Sequence, residues 1–339
     1  MNPELLSHLA NVFHVGIILD AHEIPGPSGR LTCIIRTNRS KFVFCTLPEA
    51  TDLRQISFEH AFLDYLSTCA LPVRIPSPLS ARSGESIVST MERVCWAYEF
   101  IDGAPASLTE KVCSSIGKIM AALHNAAMLY STPGAPPAFD FDWMKESIFA
   151  MLAEPDFSEA TRSSCYTFFA ANASRLIEVI ESLETEQYKL LPRISIHCDW
   201  NLSNILTSES TVTGLIDFGN CRVDTPLRDI ATFINTVCIG ERSIRLNKNH
   251  LLRFFREYRA HTVFPDSYFE FLPAVVAAEC VDNLWFQMND LRTNPSSHTT
   301  LDSLQRDLSV LNWFVSNSEK FINYLRSNTC QQRVGFDHC

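Results

Sequence analysis

The chain has 339 residues, 46% hydrophobic and 19% charged, with a net charge of −10 and a pI of about 5.5. This length accommodates two ordinary domains or one large core, and the acidic balance, without a concentrated Lys/Arg cluster, excludes a protein whose main task is neutralising nucleic-acid phosphates. No run of about 20 apolar residues occurs, so no membrane span is expected; the N-terminus carries acids where a secretory signal carries bases, and the scattered cysteines form no C-x-x-C pair, which together point to a cytoplasmic chain with reduced thiols.

Residues 4–20 place Leu5, Leu6, Leu9, Val12 and Phe13 at helical spacing. LTCIIRT and KFVFCTL then read as two strands around the turn Asn38-Arg39-Ser40. A helix over 57–69 sets Phe58, Phe62, Leu63 and Leu66 on one face. The prolines of LPVRIPSPL keep it extended, SIVSTMERVCWAYEF reads as two more strands around a turn, and Ile101 to Pro105 as a linker. Helical patterns follow over 108–128, 141–153, 158–185, 226–238, 248–260, 267–290 and 300–327, interrupted between Ile194 and Asp217 by short apolar strands. The expected fold class is α+β: a small β-rich N-lobe with an N-terminal helix over residues 1–102, and a larger helical C-lobe over 103–339. A cleft between such lobes is a favoured place for a small molecule.

One stretch stands out. Ile196 to Leu206, IHCDWNLSNIL, puts His197, Asp199 and Asn204 in the spacing H-x-D-x-x-x-x-N, and Asp217 then closes an apolar strand as I-D-F-G. A carboxylate at the tip of a buried strand is exposed while its backbone is fixed, which suits metal binding and proton transfer. Phosphoryl transfer needs such an inventory: an acid that orients the acceptor hydroxyl and takes its proton, for which Asp199 is the candidate, and oxygen ligands for Mg²⁺, for which Asn204 and Asp217 are the candidates.

This block resembles the catalytic and metal-binding segments of the aminoglycoside phosphotransferase and choline kinase superfamily, which has the protein-kinase-like two-lobe fold. The pattern H-G-D-x-x-x-x-N-[IV]-L, then [IL]-D-[FW], then an aspartate opening a helix, is met by His197 to Leu206, Ile216 to Phe218 and Asp229. IGKIMAALHNAA (116–127) resembles the superfamily's leucine-histidine helix and YEFIDG (98–103) its hinge; SKFVFCTLPE is most similar to the homoserine kinase branch.

The resemblance implies that the N-lobe binds ATP, with adenine against the backbone near Glu99 and Ile101, and that Mg²⁺ bridges Asn204, Asp217 and the phosphates. It also implies that Gly26, Ser28 and Gly29 form the phosphate-covering loop. Glu59 matches the superfamily's helix glutamate, whereas its usual lysine partner is replaced by Cys45. Lys41 shares the face of Cys45 but lies roughly 13 Å along the strand, which leaves Arg30 or Arg36 to substitute. Cys198 stands where the pattern has glycine, so a backbone without positive φ is expected there. His197 and His124 read as scaffold histidines.

The acceptor, a small-molecule hydroxyl compound, is expected in the C-lobe. Candidate walls are Trp200, Asn201, Asn220 and Asp224, and on the late helix Glu279, Asp282, Asn283 and Trp285; the acids suit an ammonium group and Trp200 a cation–π contact. Three readings follow: a kinase of a homoserine-like amino alcohol or amino sugar, an aminoglycoside-type antibiotic kinase, and a pseudokinase suggested by Cys45. None involves nucleic acid or a membrane, and the sequence specifies no oligomeric state.

Overall fold

The computed structural model describes residues 1–24, 30–131, 140–153, 160–209, 211–240, 243–294 and 297–329. Helix α1 (Pro3–Val12) begins where the Asn2 side chain accepts the Leu5 N–H, and it ends at Phe13. The helix expected over 4–20 therefore stops early, and the chain continues as β1 (Ile18–Ile24), an edge strand with almost every side chain exposed. Without a buried face, β1 has no apolar alternation to read. Strands β2 (Leu31–Thr37) and β3 (Lys41–Pro48) follow as expected, then α2 (Arg54–Ser67), β4 (Ile87–Thr90) and β5 (Arg93–Glu99). The β4–β5 turn places Met91 and Glu92 at φ 49° and 58°, the backbone hand that suits twisted hairpins.

These strands form one antiparallel sheet in the order β1-β2-β3-β5-β4. Alternation along β3 sorts its side chains. Phe44 points into a small core with Leu9 and Phe13 of the α1 segment. Its neighbour Cys45 points the other way, into the main core with Phe58 and Phe62 of α2.

The C-lobe begins with β6 (Ala104–Pro105) and continues through α3 (Glu110–Ala127), α4 (Phe141–Ala153), α5 (Ala160–Leu183) and α6 (Glu186–Lys189). Four short strands follow, β7 (Ile194–Ile196), β8 (Ile205–Ser208), β9 (Thr211–Leu215) and β10 (Arg222–Asp224). Helix α7 (Pro226–Phe233) runs into a wider turn over Ile234–Cys238, ahead of β11 (Ile239–Gly240) and β12 (Ser243–Leu246). The last helices are α8 (Lys248–His261), α9 (Tyr268–Thr293), α10 (Leu301–Ser316) and α11 (Ser318–Thr329). The single helix expected over 300–327 is thus two, broken at Asn317, which leaves helical geometry.

Strand β10 pairs antiparallel with β7, and β6, β8 and β9 form a second small sheet. These short strands bring the loops after β7 and β9 together beneath the N-lobe. The architecture is α+β, an antiparallel N-lobe sheet over a helical C-lobe. Every described cysteine is a free thiol, and no described helix is long and apolar enough to cross a membrane.

Candidate active site

The loop after β7 is held from below by a single carboxylate. Asp229, in the first turn of α7, accepts the His197 N–H at 3.1 Å and the Cys198 N–H at 2.7 Å. His124 of α3 meets the same carboxylate at 3.0 Å through Nε2, and its Nδ1 meets the Tyr258 hydroxyl of α8 at 2.8 Å. Burial alone would raise the Asp229 carboxyl, but hydrogen bonding and charge from His124 hold it below the usual range. This support fixes Cys198 at φ 62°, which corrects the expectation of an ordinary backbone there. A non-glycine residue in that region is strained by about 1–2 kcal/mol, and the two charge-assisted N–H bonds to Asp229 offset it.

His197 links the two acidic loops. Its Nδ1 accepts the Asp199 N–H at 3.1 Å, so Nε2 carries the proton shared with the Ile216 carbonyl at 3.0 Å. The ring is buried between Phe218, with centroids 4.5 Å apart, and Trp200 at 5.5 Å. It is a scaffold group, as is His124.

Asp199, Asn204 and Asp217 are brought together by short-range bonds. The Asp199 carboxylate accepts the Asn201 side-chain N–H at 2.5 Å, while Asn201 Oδ1 caps the following turn by accepting the N–H groups of Ser203 and Asn204. Asn204 Nδ2 donates to the Asp199 carbonyl at 3.1 Å, and its own carbonyl accepts the Ile216 N–H at 2.9 Å. Burial pushes the Asp199 carboxyl above its usual range; the nearby charge of Asp217 adds to this, while His197 and Asn201 oppose it. Asp217 turns outward at φ 62° and ψ 69°, with 46% of its side chain exposed. An amide oxygen beside an exposed carboxylate is a hard-donor pair fitted to Mg²⁺. Among the described residues no cluster of three His, Cys, Asp or Glu side chains could hold a metal by itself.

The N-lobe contributes Glu59, buried on α2, which accepts the Tyr98 hydroxyl at 2.6 Å. Burial pushes Glu59 up to about 7 against the opposing effects of that bond and of Arg30. Arg30 stands just before β2, with Nη1 3.8 Å from Asp217 Oδ1 and Nη2 3.8 Å from the Cys45 sulfur. Lys41 is at the hinge, paired with Asp102 at 2.7 Å, and Arg36 is exposed. The lobes are also tied by Gln55 of α2, whose amide donates to the carbonyls of Gly219 and Cys221 at 3.0 and 2.8 Å, and by Phe62 against Phe218. Neither contact has a local sequence signal, because both depend on how the lobes dock.

At the hinge, the Glu99 N–H donates to Ser77 and the Phe100 N–H to Lys41, whereas the Ile101 N–H has no partner among the described residues. Gly26, Ser28 and Gly29 lie outside the described residues.

The acceptor-side residues are arranged differently from expectation. Trp200 is fully buried, so its ring packs in the core and cannot wall a pocket for a cation. Asn201 shapes the loop after β7 through its bonds to Asp199, Ser203 and Asn204. Asp224 is buried and paired with Arg193 at 2.7 Å and with Arg222 at 3.5 Å. Asp282 and Glu279 face Arg228 at 3.2 and 3.6 Å; burial and the Asp282 charge push Glu279 up to about 7. Read alone, these acids formed an anionic wall. Arg222 and Arg228 lie close to Asp224 in sequence, but Arg193 and the pairing of Arg228 with Glu279 and Asp282 join distant segments that no local spacing reveals.

A fixed aspartate beside an amide–carboxylate pair, in a cleft between an antiparallel sheet and a helical lobe, defines a small-molecule phosphotransferase of kinase-like fold. Residues 20–263 match the phosphotransferase enzyme family APH, and the chain belongs to that family. It is 27% identical over 225 residues to a homoserine kinase of Beijerinckia indica subsp. indica, covering 66% of each chain. Among solved structures it is similar to spectinomycin phosphotransferase APH(9)-Ia bound to ADP and spectinomycin, with a TM-score of 0.68 at 14% identity over 94% of this chain and 99% of that one. A microcompartment-associated aminopropanol kinase gives a TM-score of 0.63 at 19% identity, covering 97% and 99% of the two chains.

Proposed function

We propose that the protein is an ATP-dependent kinase that transfers the terminal phosphoryl group to a hydroxyl of a small amine-bearing molecule, of the size of homoserine or an amino alcohol. The observation that carries this reading is the closeness of Asp199, Asn204 and Asp217: Asn204 Nδ2 donates to the Asp199 carbonyl, the Asn204 main-chain carbonyl accepts the N–H of Ile216 next to Asp217, and the Asp217 charge acts on Asp199. Relatives named homoserine kinase and a structural neighbour named aminopropanol kinase support the acceptor class.

Asn204 Oδ1 and the Asp217 carboxylate would hold Mg²⁺, which when bound neutralises charge on the nucleotide phosphates. The Ile101 N–H, without a partner among the described residues, would be the donor for an adenine edge. Asp199 would align the acceptor hydroxyl and receive its proton as the new O–P bond forms and the bond to the leaving diphosphate breaks. Its carboxylate is set for this by Asn201, which holds one oxygen. Most of the rate would come from positioning and preorganised charge.

The internal pairing of Asp224, Glu279 and Asp282 with arginines favours a small acceptor over a polycationic antibiotic, because little unpaired negative charge remains on that wall. Asp199→Asn tests the assignment: turnover of ATP with homoserine or aminopropanol should fall by at least about 100-fold, with nucleotide affinity retained. Wild-type turnover in that variant would remove Asp199 from the mechanism.

A further inference from the structure

We propose, resting on the kinase reading above, that Arg30 is the residue that grips the nucleotide phosphates, reaching across Cys45 from the entry to β2. The sheet register puts it there. Thr32 pairs with Cys45, and Cys45 with Trp96, so these three side chains share one face of the sheet. Arg30, two residues before Thr32, projects on that face as a diagonal neighbour of Cys45. Its guanidinium lies 5.6 Å from the centroid of the Trp96 ring, which fixes its plane. A side chain built on Gly219 would meet Arg30 Nη1 at 3.1 Å, Asp217 Oδ1 at 3.3 Å and Glu59 Oε2 at 4.0 Å. One arginine and two carboxylates therefore meet at a single point beside Gly219.

The contacts of this arginine are those of a group waiting for a partner. A structural arginine between two carboxylates closes short, often bidentate bonds of about 2.7–2.9 Å. Arg30 instead stands 3.8 Å from Asp217 and touches Cys45 through a weak N–H to sulfur contact. Its Nε is buried with no partner among the described residues, and 24% of the side chain remains exposed. Among the described residues it is the only cation within ion-pair reach of Asp217. A phosphate chain brought to Asp217 needs a positive counterpart beside the metal, and the planar fork of a guanidinium matches phosphate oxygens. The small thiol at position 45 leaves that fork its room, so Arg30 and Cys45 act as a pair.

The test is calorimetric titration of the full chain with adenosine, ADP and ATP in Mg²⁺, for the wild type, Arg30→Met and Arg30→Met/Cys45→Lys. Arg30→Met should weaken ATP binding by ten- to a hundredfold, weaken ADP less, and leave adenosine unchanged. The double variant should recover most of the ATP affinity, because lysine at 45 delivers charge to the same place. If Arg30→Met does not fold, Arg30→Lys compared with Arg30→Gln makes the same measurement. A folded Arg30→Met that binds ATP like the wild type, or loses adenosine and ATP equally, overturns the inference and leaves the kinase reading standing. A folded double variant no better than Arg30→Met also counts against it. A wild type that binds no adenine nucleotide at millimolar concentration removes the kinase reading, and this inference with it.

Discussion

Asp229 holds the loop after β7 by accepting two consecutive backbone N–H groups while itself paired with a buried histidine. An amide in its place offers one acceptor oxygen where a carboxylate offers two, so Asp229→Asn leaves one buried N–H unsatisfied. That costs about 1–3 kcal/mol, and Cys198 loses the bond that fixes its left-handed backbone. The expected result is a lower urea midpoint together with a marked fall in kcat; a variant unchanged in both would contradict the scaffold role. At this scale the sequence was informative where placement depends on local spacing. Asp199, Asn204 and Asp217 lie within one strand–loop–strand unit, so their convergence was legible. Trp200 was misread because an aromatic inside a polar loop points inward or outward according to packing that only the fold supplies. The positive φ of Cys198 was missed for a related reason, since the residue that stabilises it lies on another helix.

Elements with a buried face were legible, and those without one were not. Strands β2 and β3 alternate across two cores and announced themselves. Strand β1 buries almost nothing, and β10 is three residues long, so neither carries a pattern that exceeds its surroundings. Arg30 depended on register: sequence narrowed the substitute to Arg30 or Arg36, and only the pairing of Thr32 with Cys45 selects between them. Helix packing makes its own demand at Gly117 of α3, where a Cβ would lie 2.4 Å from the Phe254 carbonyl oxygen of α8. Two effects compete in Gly117→Ala. Helix propensity favours alanine by about 1 kcal/mol, whereas overpacking against a fixed backbone costs about 1–3 kcal/mol. The clash is with main-chain atoms that cannot rotate away, so the variant should be destabilised by about 1–2 kcal/mol, seen as a lower Tm. A higher Tm would mean that α3 and α8 separate without cost.

On the scale of the whole molecule, function depends on two lobes presenting complementary halves of one site. In the proposed mechanism the C-lobe would supply the proton acceptor and the metal ligands and the N-lobe Arg30 and the hinge; Gln55 and the Phe62–Phe218 contact fasten the halves together. The α+β two-lobe plan was readable from the change from strand to helix periodicity, and the docking contacts were not, because they join residues more than 100 positions apart. The proposed kinase activity requires that the assembled site take a nucleotide through a metal. The most direct measurement is calorimetric titration of ATP into the wild type and Asp217→Ala, each with and without Mg²⁺. The expected result is magnesium-dependent binding in the wild type that Asp217→Ala loses. Binding that ignores Mg²⁺ and survives the substitution, or no binding by the folded wild type, would contradict it.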